Sequence, residues 1–75
     1  KNNPYYLDTY AWILYKQKDY INAKIWIEKA INCGGNNDIE IMEHYAHILE
    51  QLGENSLLKD CYQHINYLKS QQYEK

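Results

Sequence analysis

Seventy-five residues, 45% hydrophobic and 24% charged, suit one globular domain near the lower limit at which a single core holds itself together. A net charge of −2, a pI of 5.8 and the lack of any arginine exclude a nucleic-acid footprint, which needs a clustered basic face, and argue against bidentate phosphate recognition. No apolar run exceeds six residues, against about 20 needed to cross a bilayer, so no membrane insertion is expected.

The chain begins at Lys1 rather than a methionine and reads as a piece of a longer protein, in which an N-terminal signal would not be visible. Valine is absent, no period-2 alternation is sustained, and breakers are few, so the predicted class is all-α. Cys33 and Cys61 form no Cys-x-x-Cys motif and read as free, buried small hydrophobes.

Asn3-Pro4 is a helix-start signal, a cap followed by proline at the first helical position. Leu7, Tyr10, Ala11 and Leu14 then recur at the spacing of a buried helical face. Lys16 and Lys18 lie where the helix dipole favours cations, and the chain is predicted to turn at Lys18-Asp19, with Asp19 as the next cap. The second helix presents Tyr20, Ala23, Ile27, Ala30 and Ile31 and stops at Gly34-Gly35-Asn36-Asn37, which offers left-handed conformations and a cap at Asn37. The third opens among the acids Asp38, Glu40 and Glu43, turns Met42, Tyr45, Ala46 and Leu49 inward, and ends at Gly53. The fourth begins near Asn55-Ser56 and carries Leu58, Cys61, Tyr62, Ile65 and Leu68 before a polar end, Ser70 to Lys75, that is expected to fray.

A shift of 35 residues sets Tyr10, Ala11, Ile13, Leu14 and Lys24 on the identical Tyr45, Ala46, Ile48, Leu49 and Lys59. A period of about 33 to 36 residues built from two amphipathic helices is the pattern of a helical-hairpin array. On these residues the chain resembles the tetratricopeptide repeat family over residues 4 to about 68. Leu7, Tyr10-Ala11, Leu14, Tyr20, Ala23, Ile27 and Ala30 take the family's places in order, and Met42, Tyr45-Ala46, Leu49, Leu58, Tyr62 and Ile65 do so again. The resemblance implies two antiparallel helical hairpins stacked as a short right-handed α-solenoid, with repeat 1 at about 4–37, repeat 2 at about 38–69 and a polar tail at 70–75. Ala11 and Ala46 would allow close helix approach. Departures are Gly35 for the family's closing proline, Lys18 for a turn glycine, and Leu58 and Ile65 for small residues. The pentatricopeptide family shares the period, but its RNA groove would be positive, which this acidic chain does not supply.

In resembling proteins the first helix of each hairpin lines a concave groove. Here those stripes are Tyr5, Asp8, Trp12 and Tyr15 on one helix and Glu40, Glu43, His47 and Glu50 on the other, an aromatic wall facing an acidic one. They are the candidate peptide-binding residues, for a protein or peptide ligand of basic character. The competing reading packs Trp12 and Tyr15 on each other or on further repeats. The family's carboxylate clamp is not carried over, because Asp8, Glu40 and Glu43 stand where cations would be required. His44-x-x-His47 and Cys61-x-x-His64 have donor types that zinc accepts, but faces turned apart would have to meet at bonds of about 2 Å, so no metal site is expected. There is no phosphate loop, nucleophile elbow or paired acids, hence no catalytic residues, no cofactor and no enzyme activity are expected. Tyr6 and Ile13 on the first helix, and Leu57 and Leu68 on the fourth, are expected to face outward. The first of these faces would promote self-association.

Overall fold

A computed structural model describes residues 3–73, which form four α-helices: α1 (Pro4–Lys16), α2 (Tyr20–Asn32), α3 (Ile39–Leu52) and α4 (Asn55–Tyr73). A short 3-10 turn (Gly35–Asn37) sits between α2 and α3, and no strand occurs among the described residues. Glu74 and Lys75, at the end of the expected tail, lie outside them, as do Lys1 and Asn2.

Local chemistry sets each boundary. Asn3 accepts the backbone N–H of Tyr5 at 2.8 Å, with Pro4 beside it where its missing N–H costs nothing. Asp19 caps α2 through the Asn22 backbone and its side-chain amide, the latter at 2.9 Å. The cap of α3 is Asp38 rather than the expected Asn37, since Asn37 is taken up in the 3-10 turn while the Asp38 carboxylate accepts from Ile41 at 3.1 Å. Gly35 is there because nothing larger fits: a Cβ would lie 2.7 Å from the Ala30 carbonyl oxygen and 3.1 Å from Ile41 Cδ1. The polar end after Leu68 stays helical to Tyr73, since no breaker intervenes.

Each helix packs on the next, and α1 also touches α3. The Cα envelope is 17 Å in its thinnest direction, room for two helix layers at the usual spacing of about 8–10 Å but not three. Two buried clusters meet on α3. The first gathers Ala11, Ala23, Ile27, Ala30, Ile41 and Ile48, and the second Met42, Ala46, Leu49, Cys61, Ile65 and Leu68. Ile31 and Tyr45 lean on both. The three alanines of the first cluster replace bulk with proximity, leaving Ile27, Ile41 and Ile48 as its large side chains, each worth about 1.5–3 kcal/mol when fully buried.

Several face assignments change, among them Cys33, expected buried and only partly so. Tyr10, expected inside, is exposed and meets Trp26 edge to face at 5.0 Å. Ile41 and Ile48 are wholly buried although they lie off the predicted inner stripe, because α3 is covered by α2 on one side and α4 on the other. Leu68, expected outside, is buried in the second cluster. No helix among the described residues is long and apolar enough to cross a membrane.

Candidate functional site

Trp12 is the centre of the expected stripes. It projects from α1 onto α3, stacked on Tyr15 (centroids 4.4 Å, 9° between planes) and on His44 (4.1 Å, 20°), with His47 tilted beside it at 5.9 Å. Such offset stacking orders rings whose own entropy cost is small. Trp12 and Tyr15 thus pack on each other, as the competing reading required, yet Trp12 also lines an open cleft of about 720 Å³ with Ile39, Glu40, Glu43, His44 and Lys69.

Beneath this wall lies a hydrogen-bonded carboxylate–imidazole pair. Asp8, in the aromatic stripe, is buried, and its Oδ1 is 2.7 Å from His44 Nδ1. An ionised carboxylate only accepts, so Nδ1 carries the hydrogen and donates. Asp8 therefore ties α1 to α3 and offers no free charge to a ligand. The other imidazole nitrogen lies 4.0 Å from Glu40, whose carboxylate is largely in solvent. Glu43 meets Lys69 of α4 at 3.6 Å, a half-exposed pair of the kind worth at most about 1 kcal/mol and open to exchange with another cation.

The remaining stripe residues separate. Glu50 accepts the Tyr62 hydroxyl at 2.7 Å, a bond that raises the Tyr62 pKa above its usual value, and it lies 3.7 Å from His47. Tyr5 is exposed near the start of α1 and does not line the cleft. Trp12, Glu40, Glu43 and His47 come together, while Tyr5, Tyr15 and Glu50 stand off the lining and Asp8 lies below it. The sequence reading missed His44, Ile39, Lys69 and Gln72 in the lining. His44 was accessible, since Glu40, Glu43, His44 and His47 follow the i, i+3, i+4, i+7 rule. Lys69 and Gln72 carry no such signal, because they reach the cleft from α4.

The histidine and cysteine pairs stay apart. His64 donates to the Asn36 carbonyl at 2.6 Å, and the Cys61 thiol donates to the Met42 carbonyl at 3.2 Å in surroundings that push its pKa up to about 11 by burial. Among the described residues no three His, Cys, Asp or Glu side chains gather as a metal ion would need. Comparison with protein-family models, with curated proteins and with solved structures finds no match to this chain.

Proposed function

We propose that the chain is a two-repeat module of the tetratricopeptide type, two antiparallel hairpins in a right-handed stack, and that it binds a basic peptide or helix of another protein between α1, α3 and the end of α4. The observation that carries this reading is the composition of the cleft. Trp12 and Ile39 offer apolar surface, while Glu40 and Glu43 hold carboxylates at its rim, the first largely in solvent at 4.0 Å from the His44 ring and the second engaged only by an exchangeable lysine. A ligand lysine can displace Lys69 from Glu43 at little cost and lay its methylenes along Trp12. The repeat type is supported by the turns that close α1 and α3. Asp19 N–H bonds the Leu14 carbonyl and Glu54 N–H the Leu49 carbonyl, residues exactly one period apart in sequence.

The test uses two synthetic peptides, one alternating lysine and leucine blocks and one with glutamate in place of lysine, titrated calorimetrically. The lysine peptide should bind and the glutamate peptide should not. Glu40→Gln with Glu43→Gln should weaken binding at least about tenfold, the effect of roughly 1.4 kcal/mol. Equal binding of both peptides, or indifference to the double substitution, would remove the cleft from consideration.

A further inference from the structure

The 35-residue relation can be applied to surfaces as well as to residues. Helix α3 seats itself on the first half through Ile41, Tyr45 and Ile48, at i, i+4 and i+7. Their counterparts on α1 are Tyr6, Tyr10 and Ile13. Ile41 and Ile48 are 1% and 0% exposed, whereas Tyr6 and Ile13 are 77% and 49% exposed. The same helical face is thus a filled contact in one place and a bare one in the other.

The surface that receives α3 also has a counterpart. It is built on Asp8, Ala11, Ile27, Ala30 and Ile31, of which Ala11, Ile27 and Ala30 are wholly buried. One period later stand Glu43, Ala46, Tyr62, Ile65 and Asn66, and these five residues together line an open groove of about 330 Å³ between α3 and α4. Where Ile27 is sealed, Tyr62 is 44% exposed. The groove is the unfilled equivalent of the α3 seat. Both halves of one contact are therefore present on a single chain, at opposite ends of it.

The polar partners correspond as well. The Tyr45 hydroxyl donates to Glu28 at 2.7 Å, and across the unfilled contact Tyr10 would face Gln63, whose amide oxygen accepts equally. His44 donates to Asp8 within the chain, and across the contact the Thr9 hydroxyl would face the Glu43 carboxylate. No like charges are brought together at these pairs.

We propose that a second copy of this chain docks head to tail, its Tyr6–Tyr10–Ile13 face entering the groove lined by Ala46, Tyr62 and Ile65, in continuation of the way α3 seats on α1 and α2. The contact is heterologous, so each docked copy leaves a new groove at one end and a new face at the other, and association grows by addition instead of closing at a dimer. The groove shares Glu43, His47 and Lys69 with the Trp12 cleft, but Ile13, Tyr62 and Asn66, the positions that test the contact, do not line that cleft.

Sedimentation velocity on the wild-type chain should show a weight-average mass that at least roughly doubles between about 10 µM and about 1 mM, as open-ended addition requires. Ile13→Lys removes the face, and Tyr62→Lys, where the new ammonium can pair with Glu50, removes the groove; each alone should be monomeric and, by circular dichroism, as helical as the parent. Asn66→Arg serves as a second groove variant. An equimolar mixture of Ile13→Lys and Tyr62→Lys retains one intact groove and one intact face and should stop at a dimer. A wild-type monomer throughout would overturn the proposal. So would association lost with Ile13→Lys but kept with both groove variants, which would mean α1 faces meeting each other, or a mixture that stays monomeric.

Discussion

The two halves of this chain share a period and a phrase, Tyr-Ala-x-Ile-Leu, yet they bury it differently. In the first half, α1 buries Asp8 and Ala11 alone, while in the second, α3 buries Ile41, Met42, Ala46, Ile48 and Leu49. The residues are alike and the neighbours are not: α3 has α2 on one side and α4 on the other, whereas α1 has cover on one side. Burial here follows the number of helices packed around each position more than residue type. Ile13 and Ile48 make the point most sharply, being the same amino acid in the same phrase with opposite exposure.

The largest effect should come from breaking that pair. Ile48→Ala should cost about 2–5 kcal/mol in urea unfolding, since it empties a sealed site between helices. Ile13→Ala, at the corresponding exposed site, should stay within about 0.5 kcal/mol in the dilute monomer. Equal costs would mean that α3 is not the covered helix. Overpacking comes next. Ala11→Leu should destabilise by about 1–3 kcal/mol, because Ile27, Ile41 and Ile48 leave it no room. Ala46→Leu should cost less, since Ala46 borders the open groove and the added methyls can lean into it. A thermal melt of the two variants ranks them, and the reverse order would misplace the groove.

The helix ends were legible in the sequence because they are local. Asn3-Pro4, Asp19, Gly34-Gly35 and Gly53 act within a few residues of themselves, and all four mark ends in the structure. Faces were only half legible. Tyr10 and Tyr45 open the same phrase, Tyr-Ala-x-Ile-Leu, and what separates them comes from α2: Trp26 meets Tyr10 edge to face, while the Glu28 carboxylate accepts the Tyr45 hydroxyl. Asp8 looked like a groove carboxylate because its partner, His44, is 36 residues away and belongs to another helix. Lys69 and Gln72 reach the cleft from α4, which the spacing along α3 cannot show, and Gln72 was further hidden by reading the end from Ser70 as frayed.

A pH titration separates the halves more gently. Burial raises the Cys61 thiol from 9.0 to about 11, and burial together with the Glu28 hydrogen bond raises the Tyr45 phenol above 10.0. The folded chain keeps these protons to higher pH than the unfolded chain does, so unfolding above pH 9 releases them and stability falls. The contribution is complete below pH 9.0 and is lost as the pH rises toward about 11. Urea midpoints measured from pH 7 upward should decline by on the order of 1 kcal/mol per pH unit in that alkaline window. Cys61→Ala, less stable at neutral pH, should show a shallower decline; an unchanged slope would take the thiol out of the linkage. The pair has no counterpart in the first half, where Tyr10 is exposed and position 26 is tryptophan.

The smallest effect is the most local. Lys18 and Gly53 occupy the same place in the two halves, just past the end of α1 and of α3, and both are left-handed, with φ of 66° and 70°. The backbone closes each turn identically, Lys18 N–H to the Tyr15 carbonyl at 2.9 Å and Gly53 N–H to the Glu50 carbonyl at 3.2 Å. A Cβ in this conformation costs roughly 1–2 kcal/mol, while glycine costs about 0.5–1 kcal/mol of extra backbone entropy in the unfolded chain. The first term exceeds the second by a little. Lys18→Gly should therefore stabilise the chain by up to about 1 kcal/mol, although it gives up a cation at a helix C-terminus worth a few tenths. Gly53→Ala should destabilise it by a similar amount, with local backbone strain as the sole cause, since no atom from elsewhere in the fold lies within 4 Å of the added Cβ. Urea midpoints of the two variants should move in opposite directions from the parent. If both move down, the lysine holds its turn by a contact worth more than the strain, and the two turns are equal in shape but not in energy.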